Sequence, residues 1–289
     1  MKTCLECIPC FISQSLEAAR MADDNKQVHI QVLKKVMKYL QSISFNSSPP
    51  EISREVHYII RKTTHSKDPY KRVKDQANNT AKNFFPYLKK LVKESDDSLL
   101  MAVKLAIVGN VIDFGTTNRF NIDEMINAAV RTEEIDDEAY DQFVKSLMET
   151  KEILYIADNC GEIFFDKLLL EELTERKKKI TYVVRANPII NDATIDDAKF
   201  AGIDRFAEVI AGDAGNDRSA PGMVMSYASP LFLQHLQSAD MVIAKGQGNY
   251  EALSDVKREI FFLLVVKCPL VAKDIGNEIG KLVLKVKKR

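Results

Sequence analysis

Glu152-Ile153-Leu154-Tyr155-Ile156-Ala157-Asp158-Asn159-Cys160-Gly161-Glu162 is the stretch that decides the fold. A short apolar run rich in β-formers gives way to a polar turn with Asp, Asn and Gly, and then to a helix-compatible run reaching about residue 176. That is strand, turn, helix. The unit recurs downstream: 180–184 reads as a second strand, followed by a turn-rich segment and a helix near 194–201. Residues 207–210, 241–244 and 260–266 continue the series, and 282–286 reads as a last strand. Strands alternating with helices at this spacing make a parallel sheet covered on both faces.

Upstream the pattern differs. Residues 34–40 and 99–108 carry apolar positions at the helical period, and 53–60 and 78–92 are compatible with further helices. Ser47-Ser48-Pro49-Pro50 and Asp68-Pro69 read as breaks between them. The predicted architecture is therefore α/β: a helical N-terminal domain over 1–148, and a Rossmann-like three-layer α/β/α domain with a mostly parallel sheet over 149–289.

Composition narrows the class. In 289 residues, 46% hydrophobic and 28% charged is the balance of a soluble globular protein. Lys plus Arg and Asp plus Glu are equal at 41 each, which argues against a polybasic nucleic-acid binder. No apolar run reaches membrane-span length and no secretory leader is evident, so the expectation is a cytoplasmic protein without membrane or nucleic-acid partners.

Ligands of open parallel sheets bind beyond the carboxyl ends of the strands. Those ends here carry Asp158 and Asn159, the segment Arg185 to Asp192, Asp213, and Lys245-Gly246-Gln247-Gly248-Asn249. Oxygen donors such as Asp158, Asn159 and Asp192 suit a hard divalent cation. Lys245 followed by glycines suits a phosphate, and a helix opening at Asn249-Tyr250-Glu251 adds positive potential. Asp192 has a second reading as a helix cap. There is no G-x-G-x-x-G after the first strand, no G-x4-G-K-[ST] and no G-x-S-x-G; His29, His57, His65 and His235 lie apart with no H-E-x-x-H.

Three of the five cysteines fall at Cys4, Cys7 and Cys10. C-x2-C-x2-C lets thiolates converge on a soft metal such as Zn or an Fe–S cluster, with Cys160 and Cys268 as the remaining sulfur donors. The alternative is a set of reduced thiols on a short N-terminal turn.

Asp158-Asn159-x-Gly161-Glu162, Asn187-Pro188-x-x-Asn191-Asp192-Ala193-Thr194 and Lys245-Gly246-Gln247-Gly248-Asn249-Tyr250-Glu251 together resemble the damage-control phosphatases, domain of unknown function 89. Asp68-Pro69-Tyr70-Lys71 and Gly109-Asn110-x-x-Asp113-Phe114-Gly115 look like that family's N-terminal motifs, and the three cysteines are similar to the motif of its prokaryotic branch. The resemblance implies a metal-dependent phosphatase of small phosphorylated metabolites in a house-cleaning role. It implies Mg, Mn, Co or Ni at Asp158, Asn159 and Asp192, with Asp158 and Asp192 catalytic. Lys245 would bind phosphate, with Gly246, Asn249, Glu251, Arg185, Asn110 and Asp113 on the substrate side. Asn110 and Asp113 have an equal reading as capping or interdomain hydrogen-bonding residues.

The nucleophile stays open between a metal-activated water, which is preferred, and the Asp158 carboxylate. Two alternatives from other classes remain: an S-adenosylmethionine-dependent carboxyl methyltransferase, and a metal or Fe–S regulatory module centred on Cys4, Cys7 and Cys10. The methyltransferase would want a glycine-rich first loop and an acidic end to the second strand; Gly161 stands alone and the second strand ends in Arg185.

Overall fold

The computed structural model describes residues 1–110, 126 and 135–287. Six helices precede the first strand among them: α1 (Cys7–Ala22), α2 (Lys26–Leu40), α3 (Pro49–Thr64), α4 (Lys71–Glu94), α5 (Ser98–Val108) and α6 (Asp137–Glu149). There follow β1 (Glu152–Ile156), α7 (Glu162–Glu175), β2 (Lys179–Val184), α8 (Ile195–Ala201), β3 (Glu208–Ala211) and α9 (Pro230–Ser238). The chain then forms β4 (Met241–Lys245), α10 (Gly246–Leu253), β5 (Ile260–Val265), α11 (Pro269–Ile275) and β6 (Leu282–Lys287).

Local chemistry explains several boundaries. Pro49 and Pro50 open α3 instead of separating helices, because the first helical turn needs no donors from them. Ser48 and Glu51 close a capping box around that start, with the Ser48 N–H donating to Glu51 Oε2 at 3.0 Å. α1 is the element the sequence pattern hides: its buried face is Phe11 with Ser15, Ala18 and Ala19, a single large apolar residue beside three small or polar ones. Cys7 and Cys10 thus lie on a 16-residue helix, not on a short turn.

The six strands run in the order β3-β2-β1-β4-β5-β6. All neighbours are parallel except β5 and β6, which pair antiparallel with Ile260 opposite Lys287 and Val265 opposite Leu282. The interior strands read as unbroken apolar runs because both faces are covered; every residue of β5 is buried.

One face packs α4, α5, α6, α7 and α8 in a core with Phe84, Leu88, Phe143, Phe165 and Leu169. The other face carries α9, α10 and α11 around Phe232, Leu253 and Val271. A third core, with Phe11, Val32, Val36, Val56 and Ile60, belongs to α1–α3. Helices α4–α6 share their apolar core with the sheet, so the change in sequence pattern near residue 148 is not a break in that core.

The strand order reverses between β1 and β4. Chains leaving these two neighbours diverge to opposite sides, opening a crevice at their carboxyl ends. No helix among the described residues is long and apolar enough to cross a membrane.

Candidate active site

Asp158 is the second residue past β1, and its backbone is pinned before its side chain is considered. Ala157 N–H still bonds Val183 O across the sheet at 2.9 Å, and Ala193 N–H donates to Asp158 O at 2.8 Å. Cys160 N–H donates to Asn191 O at 2.8 Å, and an isolated bridge joins Asn159 to Asp192. The loops after β1 and β2 are thereby stitched together. Gly161, at φ 78°, turns the chain into α7, and its N–H donates to Asn78 Oδ1 at 2.8 Å. Asn78 in turn donates to Asp197 at 2.9 Å, so α4 fixes the start of α7.

Oxygen atoms gather at this crevice. Asn110 Nδ2 donates to Asp158 Oδ2 and Glu162 Oε2, each at 2.9 Å. Asn159 Nδ2 donates to the same two oxygens at 2.8 and 3.1 Å. Burial first, and then the charges of Glu162 and Asp192, push the Asp158 carboxyl up to about 8. Burial likewise lifts Asp192 to about 6 against the pull of Arg185.

Asn110 Oδ1 is buried and has no hydrogen-bond partner among the described residues. Two buried carboxyls whose charged forms burial disfavours, beside a spare amide oxygen, make a setting that suits a cation. Among the described residues no three His, Cys, Asp or Glu side chains are arranged to grip an ion as they stand. The mixed set of Asp158, Asp192, Asn159 and Asn110 nonetheless fits a hard divalent cation in donor type.

Arg185 supplies the opposite polarity. It is 1% exposed. Its Nε donates to Asp192 Oδ2 at 2.8 Å and its Nη2 to Asn249 Oδ1 at 2.9 Å. Its Nη1 is buried without a partner among the described residues, a guanidinium edge free to receive an anion. Asn249 holds this arrangement by accepting from Met223 N–H at 2.9 Å and donating to Ala157 O and Lys245 O at 3.0 and 2.7 Å.

The loop presenting Asp192 is strained. Ile190, a β-branched residue, sits at φ 43°. Asp192 does not cap α8; Thr194 does, in a capping box with Asp197. Asp213 organises the turn after β3 by accepting from Ala186 N–H, Gly215 N–H and Ser219 Oγ at 3.1–3.2 Å.

Lys245 corrects the sequence reading of a phosphate-binding strand end. It is wholly buried, and its ammonium donates to Ala106 O at 2.7 Å, Asp166 Oδ1 at 2.7 Å and Glu162 Oε1. All three donors are taken. Burial alone would lower its pKa, but the Asp166 and Glu162 carboxylates outweigh that and hold it above the ordinary value. Asp166 also accepts from Tyr155 and Tyr182 at 2.8 and 2.7 Å. Sequence reasoning missed Asp166 and the roles of Glu162 and Asn78; the one available signal was that Asp166 lies four residues after Glu162, on one helix face.

Of the other residues read as substrate-side, Gly246 abuts Asp158 and Asn249 contacts Arg185. Glu251 instead faces a separate cavity, where Cys4, Cys7 and Cys10 also lie and whose wall includes neither Asp158, Asp192 nor Arg185. Asp113 lies outside the described residues.

Comparison with known proteins adds an independent line. Residues 3–283 match the model of the damage-control phosphatase ARMT1-like domain. A protein of Archaeoglobus fulgidus named damage-control phosphatase is 34% identical over 99% of both chains. One of Pyrococcus horikoshii with the same name is 31% identical over 98% of this chain and 97% of its own. An uncharacterized protein of Methanocaldococcus jannaschii is 36% identical over 96% of this chain and 93% of its own. The crystal structure of a DUF89 family protein from Pyrococcus horikoshii superposes with a TM-score of 0.92 at 30% identity, covering both chains completely. The chain belongs to the damage-control phosphatase ARMT1-like (DUF89) family.

Proposed function

We propose that this protein is a divalent-metal-dependent phosphatase that hydrolyses small phosphorylated metabolites, in the house-cleaning sense its relatives' names carry. The observation that carries the reading is the pairing of two unsatisfied groups at one sheet edge: the spare oxygen of Asn110 in the acidic cluster, and the spare Nη1 of Arg185 beside Asp192. One asks for a cation and the other for an anion, which is what a metal-phosphate complex presents.

Asp158, Asn159 and Asp192 would hold the metal, with Asn110 Oδ1 as a further donor. A divalent ion bound there supplies charge neutralisation for a phosphoryl group and lowers the pKa of a water. Arg185 Nη1 would receive a phosphoryl oxygen, while Asp192 and Asn249 lock the guanidinium in place. Lys245 would act indirectly, holding Glu162 so that its other oxygen keeps Asn110 and Asn159 aimed at Asp158. Asp158 is the acid whose proton has to leave before a cation enters, so its raised pKa makes cation binding weaken as the pH falls below about 8.

The test is metal-stripped protein with Mg, Mn, Co or Ni added back against a panel of phosphomonoesters. Metal-restored phosphate release that disappears in Asp158→Asn is the expected result. Metal-independent turnover, or tight S-adenosylmethionine binding with no phosphate release, would overturn the reading.

A further inference from the structure

The cavity that Cys4, Cys7 and Cys10 share has a fourth thiol on its wall, Cys268. Cys160 is elsewhere, buried in the core between sheet and α7, with its Sγ 3.7 Å from Asp192 O. The structure thus decides between the two remaining sulfurs. Cys268 sits immediately before α11 and is followed by Pro269 in the first helical turn.

The ligand pattern is then C-x2-C-x2-C plus a remote Cys-Pro. Three closely spaced cysteines with a distant Cys-Pro is how bacterial ferredoxins hold four-iron clusters. That sequence pattern, and the room between the four cysteines, favour a cluster over one ion. A single tetrahedral zinc with Zn–S near about 2.3 Å needs all four sulfurs within about 3.8 Å of one another. Cys4 Sγ and Cys7 Sγ lie 3.4 Å apart. No three His, Cys, Asp or Glu side chains among the described residues surround one point. Instead the thiols line a space of about 240 Å³.

The wall suits an anionic cluster. Cys7 and Cys10 lie three residues apart in the first turn of α1, so both fall on the helix face that lines the space. Gln247 Nε2 donates to Cys268 Sγ at 3.4 Å, the kind of contact that tunes a ligating sulfur. Ser53, 4% exposed, lines the space, and its Oγ has no partner among the described residues. Glu6 and Glu251 on the same wall oppose negative charge; Gln247 holds Glu251 with a 2.8 Å hydrogen bond.

We infer that Cys4, Cys7, Cys10 and Cys268 ligate a cubane iron–sulfur cluster, which would join the first helix to the α10–α11 edge of the sheet. Cys4 and Cys7 would rotate apart onto two corners. Ligation exchanges no electrons: each protein thiol binds one iron of a preassembled cluster and passes its proton to the thiolate it displaces.

The experiment is anaerobic ligand exchange between the full chain and a synthetic four-iron, four-sulfide cluster carrying alkyl thiolates. About four irons and four sulfides should stay with each chain after desalting, with broad visible absorption. Cys268→Ser and Cys10→Ser should each retain less than half of that iron, while Cys160→Ser retains it fully; far-UV circular dichroism confirms that each variant is folded. A native chain that keeps no iron, a Cys268→Ser chain loaded like the native one, or stoichiometric zinc uptake with no retained cluster would each overturn the inference.

Discussion

Gly246 turns its Cα towards the carboxylate of Asp158 so closely that a methyl group on it would overlap both Oδ2 and Cγ. The end of β4 therefore shapes the end of β1 across the crevice. Gly276 has the same φ of 77°, but nothing lies within 4 Å of where its side chain would be.

That contrast separates strain from collision. Gly276→Ala and Gly246→Ala each force alanine into left-handed backbone, at about 1–2 kcal/mol. Only Gly246→Ala also displaces Asp158. Urea unfolding should show the strain alone in Gly276→Ala, and a larger loss in Gly246→Ala, where the collision adds to it. Metal-restored phosphate release should fall about 100-fold or more in Gly246→Ala alone, since a misplaced ligand by about 1 Å has that scale of effect.

Lys245→Met leaves Glu162 and Asp166 buried without their cation. Breaking a buried pair from one side costs roughly 3–5 kcal/mol. The loss should appear in chemical denaturation of the protein with no metal present. Lys245→Met combined with Asp166→Asn should recover part of it. If Lys245→Met were as stable as the native chain, the ion cluster would be energetically irrelevant.

Arg185→Lys keeps a positive charge but loses the free Nη1 edge. A charge-assisted hydrogen bond contributes roughly 1.5–3 kcal/mol, so kcat/KM for a phosphomonoester should drop about 10- to 100-fold. Inorganic phosphate should inhibit the variant correspondingly less. Equal inhibition of both proteins would remove Arg185 from the anion site.

His57 gives a pH dependence remote from the crevice. It is fully buried against Tyr70, and burial, with a smaller push from Arg61, lowers its pKa to about 4. The unfolded chain takes up a proton near the ordinary value of about 6.5 that the folded chain refuses. The stabilisation is present above that pH and is lost as pH falls towards 4, by about 3 kcal/mol at most. Unfolding of His57→Phe followed from pH 7 to 4 should show a shallower decline than the native protein. Parallel curves would refute it.

The sheet was legible because its strands are apolar runs, and β1 announced the crevice through Asp158, Asn159 and Gly161. Arg185 could be placed at a strand end, but not its bond to Asp192, which depends on a loop whose strained Ile190 has no local sequence signal. Lys245 misled for a related reason. A lysine after an apolar strand looks solvent-facing, and only tertiary packing brings Glu162 and Asp166 from α7 to cover it. The first helix was hidden because alanines and serine bury its inner face. Cys268 could be nominated as a sulfur donor, yet only the fold separates it from Cys160.

The buried group of Lys245, Glu162, Asp166, Tyr155 and Tyr182 also constrains how such a chain can drift over generations. Its members come from β1, α7, β2 and β4, and each satisfies at least one of the others. A lone replacement strands an ion or a hydroxyl in a dry interior, so lineages can leave this arrangement only through a depleted, poorly folded intermediate or by near-simultaneous exchange of several codons. The apolar residues around it can be swapped one by one at modest cost. Descendants that have lost the crevice's chemistry should therefore still carry this interior set, outlasting the activity it once supported.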